Sequence, residues 1–206
     1  RQRQMCIRDS YSPLQEWLLT RADVIIGTTP PYLAESPCLA RVRHKMECLP
    51  IGIEPVCPAP AAVEEVRKRY PGKKIIFSIG RLVAYKGYKY LIESAHYLDD
   101  DYVILIGGSG AMKYDLEAEI ETWGVQDKVM LLGRISDKEL SAYYGACTLF
   151  CLSSVQKTEA FGIVQIEAMS CGKPVVATNI PHSGVSWVNA HGFSCLLYTS
   201  PSPRDI

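Results

Sequence analysis

The stretch from Thr158 to Gly172, TEAFGIVQIEAMSCG, constrains the fold of this chain more than any other. The run before it, TLFCLSS, is apolar and ends in small polar residues, which is typical of a buried parallel strand and its exit loop. After Gly162, apolar residues recur at helical spacing as far as Gly172, where glycine favours a helix end. The sequence therefore predicts a strand, a loop and a helix that begins near Gly162.

Two carboxylates lie in this stretch, Glu159 in the predicted loop and Glu167 in the predicted helix. The N-terminus of a helix presents free backbone N–H groups and the positive end of its dipole to the loop. The arrangement suits a phosphate bound by backbone amides, with hydroxyl-rich groups on either side. Taken alone, the motif also fits an ordinary strand–helix unit with two solvated glutamates.

From Lys73 onward, strands and helices alternate regularly, which favours a parallel sheet with helices on both faces. The predicted strands cover residues 75–79, 102–106, 129–132, 148–152 and 175–178. The predicted helices cover residues 88–98, 114–123 and 137–144, together with the one after Gly162. An earlier strand–helix–strand unit, with strands at 23–27 and 45–50, follows a helix that opens at Ser12-Pro13. The predicted fold class is α/β, with a Rossmann-like, doubly wound parallel sheet.

Other strand ends also lead into loops that contain glycine. Gly80-Arg81 and Lys86 follow the first strand of the sheet, and Gly108 and Gly110 follow the second. Open α/β sheets bind ligands at the carboxyl ends of their strands, so these loops are expected to face one crevice. Arg81 and Lys86 can converge there on one anion, although two solvated surface cations are the alternative interpretation.

These residues together resemble the signature of glycosyltransferase family 4, whose members are retaining nucleotide-sugar transferases of the GT-B fold. The signature positions present in register are Glu159, Phe161, Gly162, Glu167, Ala168, Met169, Gly172, Pro174, Val175 and Val176. The resemblance covers residues 11–194. It departs from the family pattern at Pro181-His182-Ser183-Gly184, where a glycine usually comes sooner after the strand.

The resemblance also implies roles for individual residues. It places Glu159 on the donor sugar and Glu167 on the nucleotide ribose, while Arg81 and Lys86 hold the donor diphosphate. The implied catalytic residues are therefore Glu159, Arg81 and Lys86. The implied donor-binding residues, beside Glu167, are Gly80, Gly108, Gly110, Ile135, Phe161, Gly162 and Ile163. The departing phosphate oxygen takes the proton of the acceptor, so no protein base is expected in this half of the enzyme.

The function that follows is transfer of a hexosyl group from a nucleotide sugar to a glycan or lipid-linked acceptor in polysaccharide biosynthesis. The alternative is a module that binds the donor nucleotide without turnover. A glycosidase with two flanking carboxylates is disfavoured, because a neutral glycosidic oxygen needs no cations to balance a diphosphate. A sugar epimerase half would need G-x-G-x-x-G after a first strand, and this fingerprint does not occur.

The amino-acid composition limits which classes of partner and cofactor are expected. The 22 basic and 22 acidic side chains cancel, which argues against a nucleic-acid binder. The eight cysteines and four histidines form no C-x-x-C pair or mixed cluster, so no metal site and no cofactor are expected. Scattered cysteines within apolar runs favour reduced thiols in a cytoplasmic protein. The resemblance adds peripheral association of the full-length protein with the inner membrane.

The predicted organisation begins and ends with segments foreign to the fold. Residues 5–10 can be encoded by ATGTGTATAAGAGACAG, and the reverse complement of that string encodes residues 195–199 in another frame. This coincidence resembles a sequencing adapter, so residues 1–10 and 195–206 are expected to be non-native tails. Between them, residues 11–54 are expected to end an N-terminal acceptor-side domain. Residues 55–72 form a proline-rich linker and lead-in, and residues 73–194 form part of a donor domain.

Overall fold

The computed structural model describes the backbone of residues 2–189 and 195–198, and the side chains of residues 11–189. Contacts along the chain group into two compact units, Arg1–Ile51 and Gly52–Ile206. Each unit is built from its own helices and parallel strands, as the alternation in the sequence predicts.

The first unit contains two strands and two α-helices. Its elements are α1 (Gln2–Arg21), β1 (Ile25–Gly27), α2 (Pro30–Glu35), a 3₁₀ segment (Pro37–Lys45) and β2 (Met46–Cys48). Strands β1 and β2 pair in parallel, and a small core forms around Leu33. Helix α1 begins well before the predicted start at Ser12 and continues through Pro13. A proline inside a helix removes one backbone hydrogen bond and crowds the preceding turn, which is why the sequence predicts a helix that starts beside Pro13.

The second unit contains a single sheet and the helices around it. Its elements are α3 (Pro60–Arg69), β3 (Lys74–Ile79), α4 (Tyr88–Ser94), β4 (Tyr102–Gly107), α5 (Lys113–Trp123), β5 (Val129–Gly133), α6 (Asp137–Ala146), β6 (Leu149–Leu152), α7 (Ile163–Ser170), β7 (Val175–Thr178), α8 (Val185–Val188) and β8 (Cys195–Tyr198). Helix α3 lies where the sequence indicated a linker and lead-in. Pro60 opens it with a backbone angle already suited to the first helical turn.

The six strands lie in the order β5-β4-β3-β6-β7-β8, and every pair is parallel. Counted from β3, this is the doubly wound order 3-2-1-4-5-6 of Rossmann-like sheets. The chain changes direction across the sheet between β3 and β6, which makes this the switch point where such sheets bind ligands. The prediction of a doubly wound parallel sheet is confirmed.

Alternate residues of each strand point to opposite faces, and each face carries its own core. On one face, Phe77, Leu105 and Phe150 pack with residues of α3, α6 and α7. On the other, Ile76 and Ile104 pack with residues of α4 and α5. Strands β3 and β4 are therefore buried on both sides, and functional groups can gather in the loops at the strand ends.

The C-terminal edge differs from the expectation that residues 195–206 lie outside the fold. Residues 195–198 form β8, which pairs in parallel with β7 from Cys195 opposite Val175 to Tyr198 opposite Thr178. A short run of apolar residues can occupy an open sheet edge whatever its origin, because pairing uses backbone groups. Residues 199–206, like residues 190–194, lie outside the described residues. The adapter origin of this segment stays a prediction.

Candidate functional site

The loops that follow β3 and β6 are hydrogen-bonded to each other at the switch point of the sheet. The Ser153 hydroxyl donates to the Lys86 carbonyl at 2.8 Å. The Val155 amide donates to the Tyr85 carbonyl, also at 2.8 Å. The loop after β3 and the loop after β6 therefore form one continuous wall at the point where parallel α/β sheets bind ligands.

An ion pair lies in this wall. Lys86 Nζ lies 2.5 Å from Glu159 Oε2, and each side chain is only 11% exposed. The Ser154 hydroxyl donates to the same carboxylate oxygen at 2.7 Å. The backbone is also held, because the Ser183 hydroxyl donates to the Glu159 carbonyl. The carboxylate predicted to contact the donor sugar is thus fixed by a cation and a hydroxyl.

The two predicted cations differ in environment. Arg81 is exposed, and its Nη2 donates to the Tyr85 hydroxyl at 3.3 Å. Lys86 is buried, and its Nζ lies 5.6 Å from the centre of the Tyr85 ring. Tyr85 therefore contacts both cations. The charge of Lys86 is balanced by Glu159, whereas the guanidinium of Arg81 faces solvent.

The glycine loops after β3, β4 and β5 lie side by side, as predicted. The Gly80 amide donates to the Gly107 carbonyl at 3.1 Å, and the Gly108 amide donates to the Gly133 carbonyl at 2.7 Å. Gly108 has φ 127°, and a Cβ there would lie 1.9 Å from the Gly80 carbonyl oxygen. Only glycine allows the two loops to approach so closely.

Two further predicted donor-binding residues lie in the same group of loops. Gly110 lies against the backbone of Leu82, whose amide donates to the Ser109 carbonyl at 3.0 Å. Ile135, half-buried after β5, packs against Gly107 at the end of β4. Residues from three neighbouring strand ends are thus brought to one edge of the sheet.

The N-terminus of α7 also lies where the motif predicts it. Gly162 is the N-cap residue and has φ 70°, a left-handed conformation that glycine adopts readily. Phe161 before it is buried, and Ile163 after it is 39% exposed. The buried side-chain amide of Gln165 donates through Nε2 to the Phe161 carbonyl at 3.2 Å, and this hydrogen bond connects the loop to the first turn of α7.

Glu167 lies on α7, half-buried, and has a different kind of partner from Glu159. The Tyr144 hydroxyl on α6 donates to Glu167 Oε2 at 2.6 Å. Burial, followed by the hydrogen bond and charge of Glu167, raises the pKa of Tyr144 far above its ordinary value. The phenol is therefore a neutral donor. The structure holds the two predicted glutamates through separate sets of partners.

The sequence reasoning missed Tyr85, Ser154 and Tyr144. Ser154 belongs to the small polar residues at the end of TLFCLSS, so its place at a strand exit was a usable signal. Tyr85 lies between the two predicted cations and could have been considered with them. Tyr144 lies in a helix with other apolar residues, and nothing in that pattern marks its hydroxyl.

The described part of the chain contains neither a cluster of metal-ligating side chains nor a membrane-spanning helix. Within these residues, no three His, Cys, Asp or Glu side chains are grouped so that they could hold a metal ion. Among the same residues, no helix is long and apolar enough to cross a membrane. No disulfide bond joins any of the six cysteines whose side chains are described.

Comparison with known proteins agrees with this fold. The family model for glycosyl transferases, group 1, matches residues 62–206. The D-rhamnosyltransferase WbpZ of Pseudomonas aeruginosa is 28% identical over 204 residues, which cover 98% of this chain and 52% of that protein. Mannosylfructose-phosphate synthase of Agrobacterium fabrum is 31% identical over 202 residues, which cover 89% of this chain and 43% of that protein. The chain thus spans about half the length of the curated relatives it matches.

A solved structure shows the same architecture. Alr3699/HepE of Anabaena, crystallised with UDP-glucose, superposes with a TM-score of 0.79 at 21% identity, over 93% of this chain and 54% of that one. At this identity the likeness supports the fold and no more.

Proposed function

The chain belongs to the group 1 glycosyl transferases, and from this premise we propose that it is part of a retaining, family 4 enzyme. In this proposal, the enzyme transfers a hexosyl group from a nucleotide-sugar donor to a glycan or lipid-linked acceptor. The observation that carries the proposal is the Lys86–Glu159 pair at the switch point of the sheet, beside the exposed Arg81. The similarity to the D-rhamnosyltransferase WbpZ supports transfer of a sugar residue.

Each group at the crevice has a part in the proposed transfer. Arg81 binds the diphosphate through charge-assisted hydrogen bonds, and the loop glycines let its oxygens approach the backbone. Glu159 accepts a hydrogen bond from a sugar hydroxyl with the oxygen that Lys86 and Ser154 leave free. Glu167 accepts from the hydroxyls of the ribose.

The chemistry proposed is a substitution on one face of the sugar. The bond between the anomeric carbon and the diphosphate oxygen breaks, and a bond from that carbon to the acceptor oxygen forms on the same face. The acceptor proton passes to the departing phosphate oxygen. Negative charge grows on the leaving diphosphate, where Arg81 and the N-terminus of α7 stabilise it.

We expect no metal cofactor, a cytoplasmic location and peripheral contact of the full-length protein with the inner membrane.

The second candidate is binding of the donor nucleotide without turnover. It is favoured for the 206-residue chain by itself, because this chain spans about half of its relatives and transfer needs an acceptor held against the donor. Transfer catalysed by the 206-residue chain alone would exclude this second candidate.

Substitution of the two glutamates in the full-length enzyme tests the proposal. We expect Glu159→Gln to lower kcat on the order of 100-fold without weakening the nucleoside diphosphate, because the lost contact is to the sugar. Glu167→Gln should instead weaken the nucleoside diphosphate and the sugar nucleotide alike. Calorimetry with both ligands and a transfer assay measure these effects. Identical behaviour of the two variants would refute the assigned roles.

A further inference from the structure

The hydroxyl of Tyr144 is held in place by the core beneath the site. Tyr144 is 1% exposed, and its ring packs edge-on against Phe77 at 5.5 Å and at a tilt against Phe150 at 5.6 Å. The side chain therefore has little freedom to rotate. Its hydroxyl, 2.6 Å from Glu167 Oε2, gives the carboxylate a fixed reference point on α6.

The hydrogen-bond donor to Glu167 is an uncharged phenol rather than a cation, and this difference has a chemical consequence. A lysine in this position, like Lys86 beside Glu159, would neutralise the carboxylate. The neutral Tyr144 phenol orients Glu167 and leaves its negative charge in place. A carboxylate has about four acceptor positions, so one donated hydrogen bond leaves room for two ligand hydroxyls. Glu167 is half-buried, and this leaves part of it accessible to a ligand.

We propose that Tyr144 is a positioning residue that orients Glu167 to accept hydrogen bonds from the two neighbouring hydroxyls of a ribose, and so makes the site select ribonucleotides over 2′-deoxyribonucleotides. This inference rests on the proposed function, in which Glu167 contacts the ribose. A carboxylate with a fixed plane can accept from both hydroxyls of a vicinal diol. A carboxylate free to rotate loses orientational preference for the pair.

The test uses the full-length protein and nucleoside diphosphates. UDP, GDP and ADP are titrated by calorimetry, and the one that binds most tightly is compared with its 2′-deoxy form. The quantity measured is the ratio of the two dissociation constants. We expect a ratio of about tenfold or more in favour of the ribonucleotide in the unmodified protein, because a charged acceptor loses a hydroxyl partner.

Tyr144→Phe keeps the ring and removes the hydroxyl, so the ratio should fall to a few-fold or less. Tyr143→Phe is the matched control. Tyr143 is the preceding residue of α6, stacks on Phe77 and accepts a hydrogen bond from Arg69 at 3.3 Å. The Tyr143→Phe substitution removes a phenolic hydroxyl from the same aromatic cluster and leaves the hydrogen bond to Glu167 in place. The ratio of dissociation constants should therefore be unchanged. A merely structural role for Tyr144 would weaken both ligands together and leave the ratio unchanged, which would overturn the inference.

Glu167→Gln separates this inference from the proposed function. If Glu167→Gln lowers the ratio and Tyr144→Phe does not, the positioning role is wrong and the ribose contact stands. If Glu167→Gln leaves the ratio unchanged, the ribose contact is wrong and the positioning role falls with it. Should Tyr144→Phe fail to fold, Glu167→Asp provides a second test, because the shorter side chain draws the carboxylate away from Tyr144 while the core stays intact. The ratio should then fall as well, and an unchanged ratio would overturn the inference.

Discussion

Removal of the lysine charge from the Lys86–Glu159 pair should destabilise the protein, because the pair is buried between the segments that follow β3 and β6. Lys86→Met keeps most of the length of the side chain and removes its charge. Glu159 is then left as a buried carboxylate with the Ser154 hydroxyl as its remaining described side-chain donor. Breaking a buried ion pair on one side costs about 3–5 kcal/mol, since the desolvated charge that remains is uncompensated.

The geometry places this case at the lower end of that range. Each side chain keeps 11% exposure, and Ser154 continues to donate a hydrogen bond, so about 3 kcal/mol is expected. For a chain of this size, 1 kcal/mol corresponds to roughly 2–4 °C in melting temperature. Lys86→Met should therefore lower the melting temperature by roughly 6–12 °C, as measured by scanning calorimetry.

Two variants control for the loss of a loop cation. Arg81→Met removes an exposed charge from the same loop and should change stability by no more than about 0.5 kcal/mol. Lys86→Met combined with Glu159→Gln removes both charges and should recover most of the loss, because no unpaired charge stays buried. If Lys86→Met melts at the same temperature as Arg81→Met, the ion pair does not contribute as described.

Two other substitutions or modifications test separate features. Gly108→Ala should lower the free energy of unfolding, measured by urea denaturation, on the order of 3 kcal/mol, because the new Cβ would meet the Gly80 carbonyl. Gly124→Ala is the control, since Gly124 has φ 63° and open space around it, and it should cost only about 1 kcal/mol. Equal costs would refute the close approach of the two loops. At pH 8, iodoacetamide should modify the exposed Cys57 quickly and Cys147 hardly at all, since burial raises the pKa of the Cys147 thiol to about 12. Mass spectrometry of the native protein measures both rates of modification. Similar rates would contradict the burial of the Cys147 thiol.

Much of the fold could be predicted because its signals are local. The apolar runs of β3, β4 and β5 and the glycines at their ends are readable from neighbouring residues alone. The loop–helix motif around Gly162 is equally local, and the structure places its N-cap there. The fold class and the side-by-side arrangement of the strand ends follow from these elements and the rules for parallel sheets.

The pairing of distant side chains could not be predicted in the same way. Lys86 and Glu159 are 73 positions apart and meet because β3 and β6 are neighbours at the switch point. The sequence places both residues at strand ends, yet nothing in it says that the lysine binds the glutamate. The same holds for Tyr144 and Glu167, which meet through the packing of α6 and α7. Strand β8 differs from the sequence prediction for another reason: its residues resemble an adapter, and this presumed origin places them outside the predicted fold although their pattern is apolar.

The Lys86–Glu159 pair also bears on how an anionic donor could approach a carboxylate. Two like charges about 4 Å apart repel by about 4 kcal/mol at an effective dielectric constant of about 20. An unpaired Glu159 beside a diphosphate would therefore oppose binding, and Lys86 removes this repulsion without having to contact the phosphates. In that case Lys86→Met should weaken binding of a nucleoside diphosphate, and the added Glu159→Gln should restore it. If Lys86 instead binds the diphosphate directly, the double variant stays as weak as Lys86→Met, so the same proteins distinguish charge balance from direct contact.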